Sequence, residues 1–120
     1  MRHEAGKDIL RVTVSGPLDL PRITSYVIRH QKDWSGRKAV LWDLRQADPT
    51  PLTSQDILNL DQAFAGIFEM RAGARTALLV GKELETIARI GIALYEEREV
   101  PITFNSFCKE SEAIAWLKEA

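Results

Sequence analysis

Along this chain, short runs rich in β-branched residues alternate four times with stretches whose apolar positions recur at helical spacing. The first run, 9–14, reads Ile-Leu-Arg-Val-Thr-Val and predicts a strand that Ser15-Gly16-Pro17 stops. Asp19 then stands where a helix cap belongs, with Pro21 in the first turn, and Leu20, Ile23, Val27 and His30 share one stripe. A continuous apolar run, Ala39-Val40-Leu41-Trp42, marks a second strand suited to cover on both faces. Pro49 and Pro51 define a loop ending in Thr53-Ser54-Gln55-Asp56, a cap-like sequence with an acid at the third helical position. Ile57, Leu60, Phe64, Ile67 and Phe68 form the stripe of the helix that follows.

The second half repeats the scheme. A strand over 75–80 stops at Gly81, and Leu84, Ile87, Ala88, Gly91 and Tyr95 stripe the next helix. The small residues of that stripe predict close packing on a sheet. Another strand is expected over 100–105, and Ala113, Ile114 and Leu117 mark a closing helix. Residues 2–4 are expected to form a short edge strand, paired through a turn at Gly6. Strands separated by helices of this length imply parallel pairing, because parallel neighbours need long crossovers. The expectation is one α/β domain over 1–120, with four mainly parallel core strands and four helices. Its expected core order is 2-1-3-4 with right-handed crossovers. Ligands of such sheets bind at the carboxyl ends of strands, here 15–19, 43–48, 81–83 and 105–108.

Composition removes several function classes. Sixteen basic against seventeen acidic residues give a net charge of −1, which offers no footprint for nucleic acid or an anionic membrane. The longest apolar runs are far too short to cross a bilayer, and residues 1–8 lack the apolar core of a signal peptide, so the expected location is cytoplasmic. Cys108 is the single cysteine, which excludes an internal disulfide and any multi-cysteine metal site. His3 and His30 have no further ligands at metal-binding spacing. No metal or cofactor is expected.

Four segments carry a family resemblance. Val12-Thr13-Val14-Ser15-Gly16-Pro17-Leu18-Asp19 resembles the opening strand and turn of STAS domains. Val40-Leu41-Trp42-Asp43-Leu44 resembles their second strand, which ends in Asp-Leu. Arg75-Thr76-Ala77-Leu78-Leu79-Val80 and the closing stretch from Phe107 through Glu112-Ala113-Ile114-Ala115-Trp116-Leu117 resemble STAS-like relatives of the sporulation anti-sigma-factor antagonist. The resemblance spans nearly the whole chain and implies a non-enzymatic role in binding a partner or a small ligand. In the antagonists, a serine within Asp-Ser-Ser-Gly-Leu is phosphorylated at the start of the helix after the Asp-Leu strand. The corresponding stretch is Leu52-Thr53-Ser54-Gln55-Asp56-Ile57, which keeps the hydroxyls and lacks the preceding aspartate and the following glycine.

Individual residues carry competing readings. Thr53 and Ser54 read first as helix caps and second as phosphorylation sites. Asp43 lacks the neighbouring acidic pair of a receiver-domain site and is expected to hydrogen-bond loop amides. Arg71, Arg75, Arg89 and Arg98 could hold an anion, although a solvated surface is the reading adopted. Cys108 reads as a buried or half-buried bystander, and Gly81-Lys82-Glu83 lacks the spaced glycines of a nucleotide-binding loop. Two functions from different classes follow. One is a regulatory module that binds a protein partner around Asp19, Asp43, Arg45, Thr53 and Ser54, and it admits a homodimer. The other is a carrier or sensor of a small apolar ligand, held between helices and sheet by Phe64, Phe68, Ile87 and Tyr95. Catalysis lacks the convergent titratable groups it needs.

Overall fold

A computed structural model describes residues 2–6 and 8–119; the side chains of His3, Ala5, Asp61 and Ala63 lie outside that description. Strands β1 (Arg2–Ala5), β2 (Leu10–Pro17), β3 (Ala39–Asp48), β4 (Arg75–Leu79) and β5 (Thr103–Phe107) form one sheet. The first crossover holds α1 (Leu20–Arg29) and α2 (Gln31–Trp34), and the second holds α3 (Ser54–Ala63) and α4 (Ala65–Met70). Helix α5 (Lys82–Glu97) joins β4 to β5, and α6 (Glu110–Lys118) closes the fold. The expected α/β class and parallel core are present. Each of the first two crossovers is broken where one helix was expected, at His30 and at Phe64, which serve as both an end and a beginning.

Strand order corrects the expectation. It runs β1-β2-β3-β4-β5, so the four parallel strands follow chain order instead of 2-1-3-4. The β1 strand pairs antiparallel on β2, with Glu4 opposite Arg11, and keeps β2 off the sheet edge. Gly6 closes that hairpin by donating its N–H to Ile9 O at 3.1 Å. A Cβ there would stand 2.9 Å from the same oxygen, so a larger residue would push the turn open. The last strand begins at Thr103 because Pro101 has no N–H to give, and the segment 100–102 is a connection that buries Ile102.

A sequential parallel order has a strong consequence. Crossovers of one hand all fall on the same face when strand order never reverses. Accordingly Val27, Trp34, Phe64, Phe68 and Tyr95 from α1, α2, the α3–α4 junction, α4 and α5 meet Leu10, Val12 and Val40 in one cluster. The opposite face is covered by α6 alone, which lays Ala113 and Leu117 on Ala39, Leu41, Ala77 and Leu79. This single helix packs mainly on β3, β4 and β5 and meets β2 through Glu110 and Arg11.

The crowded face is not filled. Trp42 and Leu78 point into the helix layer from interior strands, yet both are only half-buried. Phe64 is buried, while Leu78 keeps free surface. Leu41→Ala, in the close-packed layer under α6, is expected to cost about 2–5 kcal/mol, within the range for buried leucine truncations. Leu78→Ala should cost less than half as much, because its side chain already borders empty space. Urea denaturation of both variants checks the contrast, and equal losses would contradict it.

Candidate functional site

Between the helix layer and the sheet lies a chamber of about 190 Å³. Leu18, Leu20, Ile23 and Val27 bound it on the α1 side, Leu52, Ile57 and Leu60 on the α3 side, and Trp42, Leu44, Thr76 and Leu78 form its floor. Helix α5 contributes Leu84, Ile87, Ala88, Gly91 and Tyr95. The four residues expected to line a ligand space, Phe64, Phe68, Ile87 and Tyr95, all border this chamber. At one end Phe68, Tyr95 and Phe104 pack edge to face, with centroids 5.2–6.0 Å apart. That geometry is favoured by the aromatic quadrupole and makes a rigid wall. Gly91 has a different job from the one expected. A Cβ built on it meets nothing within 4 Å, so it widens the chamber and does not bring α5 down onto the sheet.

Arg71 also lines the chamber, and its placement overturns the reading of a solvated arginine, since it is 4 % exposed. It donates from Nε to Arg37 O at 3.0 Å, from Nη1 to Thr76 Oγ1 at 2.8 Å and from Nη2 to Arg75 O at 3.0 Å. Burial lowers its pKa to about 10. The other three arginines are ordinary by comparison. Arg75 is half-buried, 5.0 Å from the Trp116 ring centre, Arg89 pairs with Glu85 four residues back, and exposed Arg98 donates to Leu58 O.

The residues of the expected partner surface are divided between the two faces. Asp43 projects from β3 to the α6 side and is 6 % exposed. Its partners are two guanidinium groups and one backbone amide within β3, where loop amides alone were expected. Arg11 Nη2 donates to Oδ2 at 2.8 Å, Arg45 Nη2 to Oδ2 at 2.8 Å and Arg45 Nε to Oδ1 at 3.0 Å. Glu110, at the start of α6, pairs with Arg11. A bulge makes the arrangement possible. Thr13 faces Asp43 and Ser15 faces Gln46, so β3 carries one extra residue, and the N–H of Arg45 turns onto Asp43 Oδ1 at 3.2 Å. Two acids and two arginines balance, leaving the cluster without net charge.

Thr53, Ser54 and Asp19 belong to helix starts. The Thr53 hydroxyl accepts from Asp56 N at 3.1 Å and the Asp56 carboxylate accepts from Thr53 N at 3.0 Å, a reciprocal capping box. Ser54 is the first helical residue, exposed and outside the box. Asp19 occupies the N-cap position of α1, but its side chain makes no cap hydrogen bond, which corrects the role expected of it. Cys108 is exposed and not buried. It borders a shallow groove of about 500 Å³ at the ends of β4 and β5, where the Glu85–Arg89 pair already satisfies opposite charges.

Sequence reasoning missed Arg11, and it named Arg71 as a possible anion holder but placed it on a solvated surface. A signal existed for Arg11, which stands between Leu10 and Val12 in a strand and must face away from the helix layer. No family model matches the chain, and a search of curated proteins likewise finds no match. Among the described residues no helix is long and apolar enough to cross a membrane.

The Arg45 hydrogen bonds, followed by those of Arg11, hold the Asp43 carboxyl below its ordinary pKa. A carboxylate whose folded pKa is depressed contributes stability that is complete above its unfolded pKa and lost as pH falls through the folded value. Asp43→Asn is therefore expected to cost about 1–3 kcal/mol at neutral pH. The deficit against wild type should shrink as pH drops below about 4, where the unfolded carboxyl protonates. Urea titrations across that range measure it; a deficit independent of pH would contradict the charge-based role.

Proposed function

We propose that this protein is a carrier or sensor that binds a small, largely apolar molecule in the chamber between helices and sheet. The observation that carries this reading is the chamber itself. Close-packed interiors hold few voids larger than a water molecule, yet here a partly open space of about 190 Å³ lies beside half-buried Trp42, Leu78 and Phe104. A dry cavity of about 150 Å³ accepts a benzene ring, whereas ordinary ligand pockets begin near 300 Å³. The occupant is accordingly one ring or a short chain. Nearly all lining residues are apolar, which supports burial as the main driving force.

A regulatory, partner-binding role is the second reading, the one that the STAS-like resemblance implies. It is favoured by Asp19 and Ser54, exposed beside helix starts with side chains that capping does not use. Ser54→Arg should then abolish capture of the partner from native extract while leaving thermal stability unchanged. Capture unaffected by the substitution would argue against this surface.

Gly91→Leu tests the chamber directly. It fills space that the backbone leaves open and replaces a poor helix former, so stability should rise by about 0.5–1 kcal/mol. Toluene added to the wild type should shift the NMR signals of Phe68, Leu78 and Ile87, and the variant should lose that response. Wild-type signals unmoved by saturating toluene would refute the chamber reading.

A further inference from the structure

The chamber wall contains a buried positive charge that no acidic group faces among the described residues. Arg71 is 4 % exposed, and its three acceptors, Arg37 O, Thr76 Oγ1 and Arg75 O, are all neutral oxygens. Among the described residues it makes no ion pair, and burial is the single cause of its lowered pKa, unrelieved by any carboxylate. It is also, among the described residues, the one charged side chain lining the chamber. A guanidinium has five N–H groups. Three are engaged, which leaves one hydrogen on each terminal nitrogen. Thr76, which receives the Nη1 bond, lies on the chamber floor, so this end of the side chain is at the wall.

Those three bonds do more than satisfy polar atoms. They tie the side chain to the end of the α2–β3 connection and to the first two residues of β4, and so fix the plane of the guanidinium before any ligand arrives. Hydrogen bonds to an ionised partner are roughly twice as strong as neutral ones, and low polarity around the pair strengthens them further. A neutral occupant would seal the chamber with the charge still uncompensated. A monoanion cancels it. A dianionic phosphate would replace one buried excess charge by the opposite one.

Resting on the chamber reading above, we propose that the occupant is a small amphiphile with one anionic group, a short aryl or alkyl monocarboxylate. Its carboxylate pairs with Arg71, and its tail lies among Phe64, Phe68, Leu78, Ile87 and Tyr95. The alternative is that Arg71 only staples β4 to its neighbours. A staple makes binding indifferent to ligand charge.

The discriminating probes are 3-phenylpropionate and 3-phenylpropan-1-ol, which share a ring and a chain and differ in charge. Calorimetric titration of the wild-type protein at neutral pH should show the carboxylate binding about tenfold tighter or more, as expected for a charge-assisted pair. Arg71→Met keeps the length and apolar stem without the charge, and should bring the two affinities within about twofold. Should that variant fail to fold, the Arg71 Nε–Hε NMR signal of the wild type gives the same answer. It should move with phenylpropionate and stay in place with phenylpropanol. Both probes binding equally would overturn the anionic ligand and leave the chamber reading standing. Neither probe binding would overturn both.

Discussion

The unreversed order of parallel strands is the constraint from which the other features follow. Each crossover in such a sheet returns on the same side, so α1 through α5 share one face and α6 alone serves the other. Five helical segments laid on a twisted sheet cannot all press against it equally. The breaks at His30 and Phe64 let them fan outward, and β3 and β4, the strands in the middle, lie under the gap. The chamber is thus a product of topology as much as of side-chain choice. Gly91 enlarges it, and the Phe68–Tyr95–Phe104 group braces one end.

The opposite face meets a different demand. One helix cannot cover five strands, so the uncovered part must be wet or internally neutralised. Between β2 and β3 the molecule uses neutralisation, with Asp43 gripped by Arg11 and Arg45 and with Glu110 joining from α6. Because Arg11 and Arg45 remain partly exposed, their charges are softened by solvent, and the value of the cluster lies mainly in holding Asp43. The bulge in β3 supplies the geometry by turning the Arg45 amide and side chain onto the same carboxylate.

Local features of this fold were legible because they depend on neighbours in sequence. The β-branched runs around Val12, Val40 and Leu78 gave strands, and the stripe from Ile57 to Phe68 gave a helical segment. The Thr53–Asp56 capping box follows from spacing alone. Strand order was not legible, since an apolar run suits any neighbour that also has an apolar face. The chamber was hidden for the same reason. Phe64, Phe68, Ile87 and Tyr95 have the periodicity of a core residue whether the opposing space is filled or empty. Arg71 was misread because it stands before Ala72-Gly73, a sequence typical of exposed turns. Its burial is set by the Lys38–Arg75 backbone contact and by Thr76, which only the folded chain brings to it.

Arg71 and Asp43 make an instructive pair, because both are buried ions and only one is neutralised. Asp43 has two cations within hydrogen-bond distance, and its pKa falls accordingly. Among the described residues Arg71 has only neutral acceptors, and its pKa falls because burial penalises the charged form. For both groups a lower pKa favours the deprotonated form, which for the carboxyl is the charged state and for the guanidinium the neutral one. Near neutral pH Asp43 therefore adds to stability, while Arg71 carries a desolvation cost that its three bonds offset only in part. An apolar side chain of similar volume would fill the same space without that cost. The unbalanced charge is thus poorly accounted for by folding alone, and its place in the wall of an apolar chamber makes an anionic occupant the simplest source of the missing counter-charge.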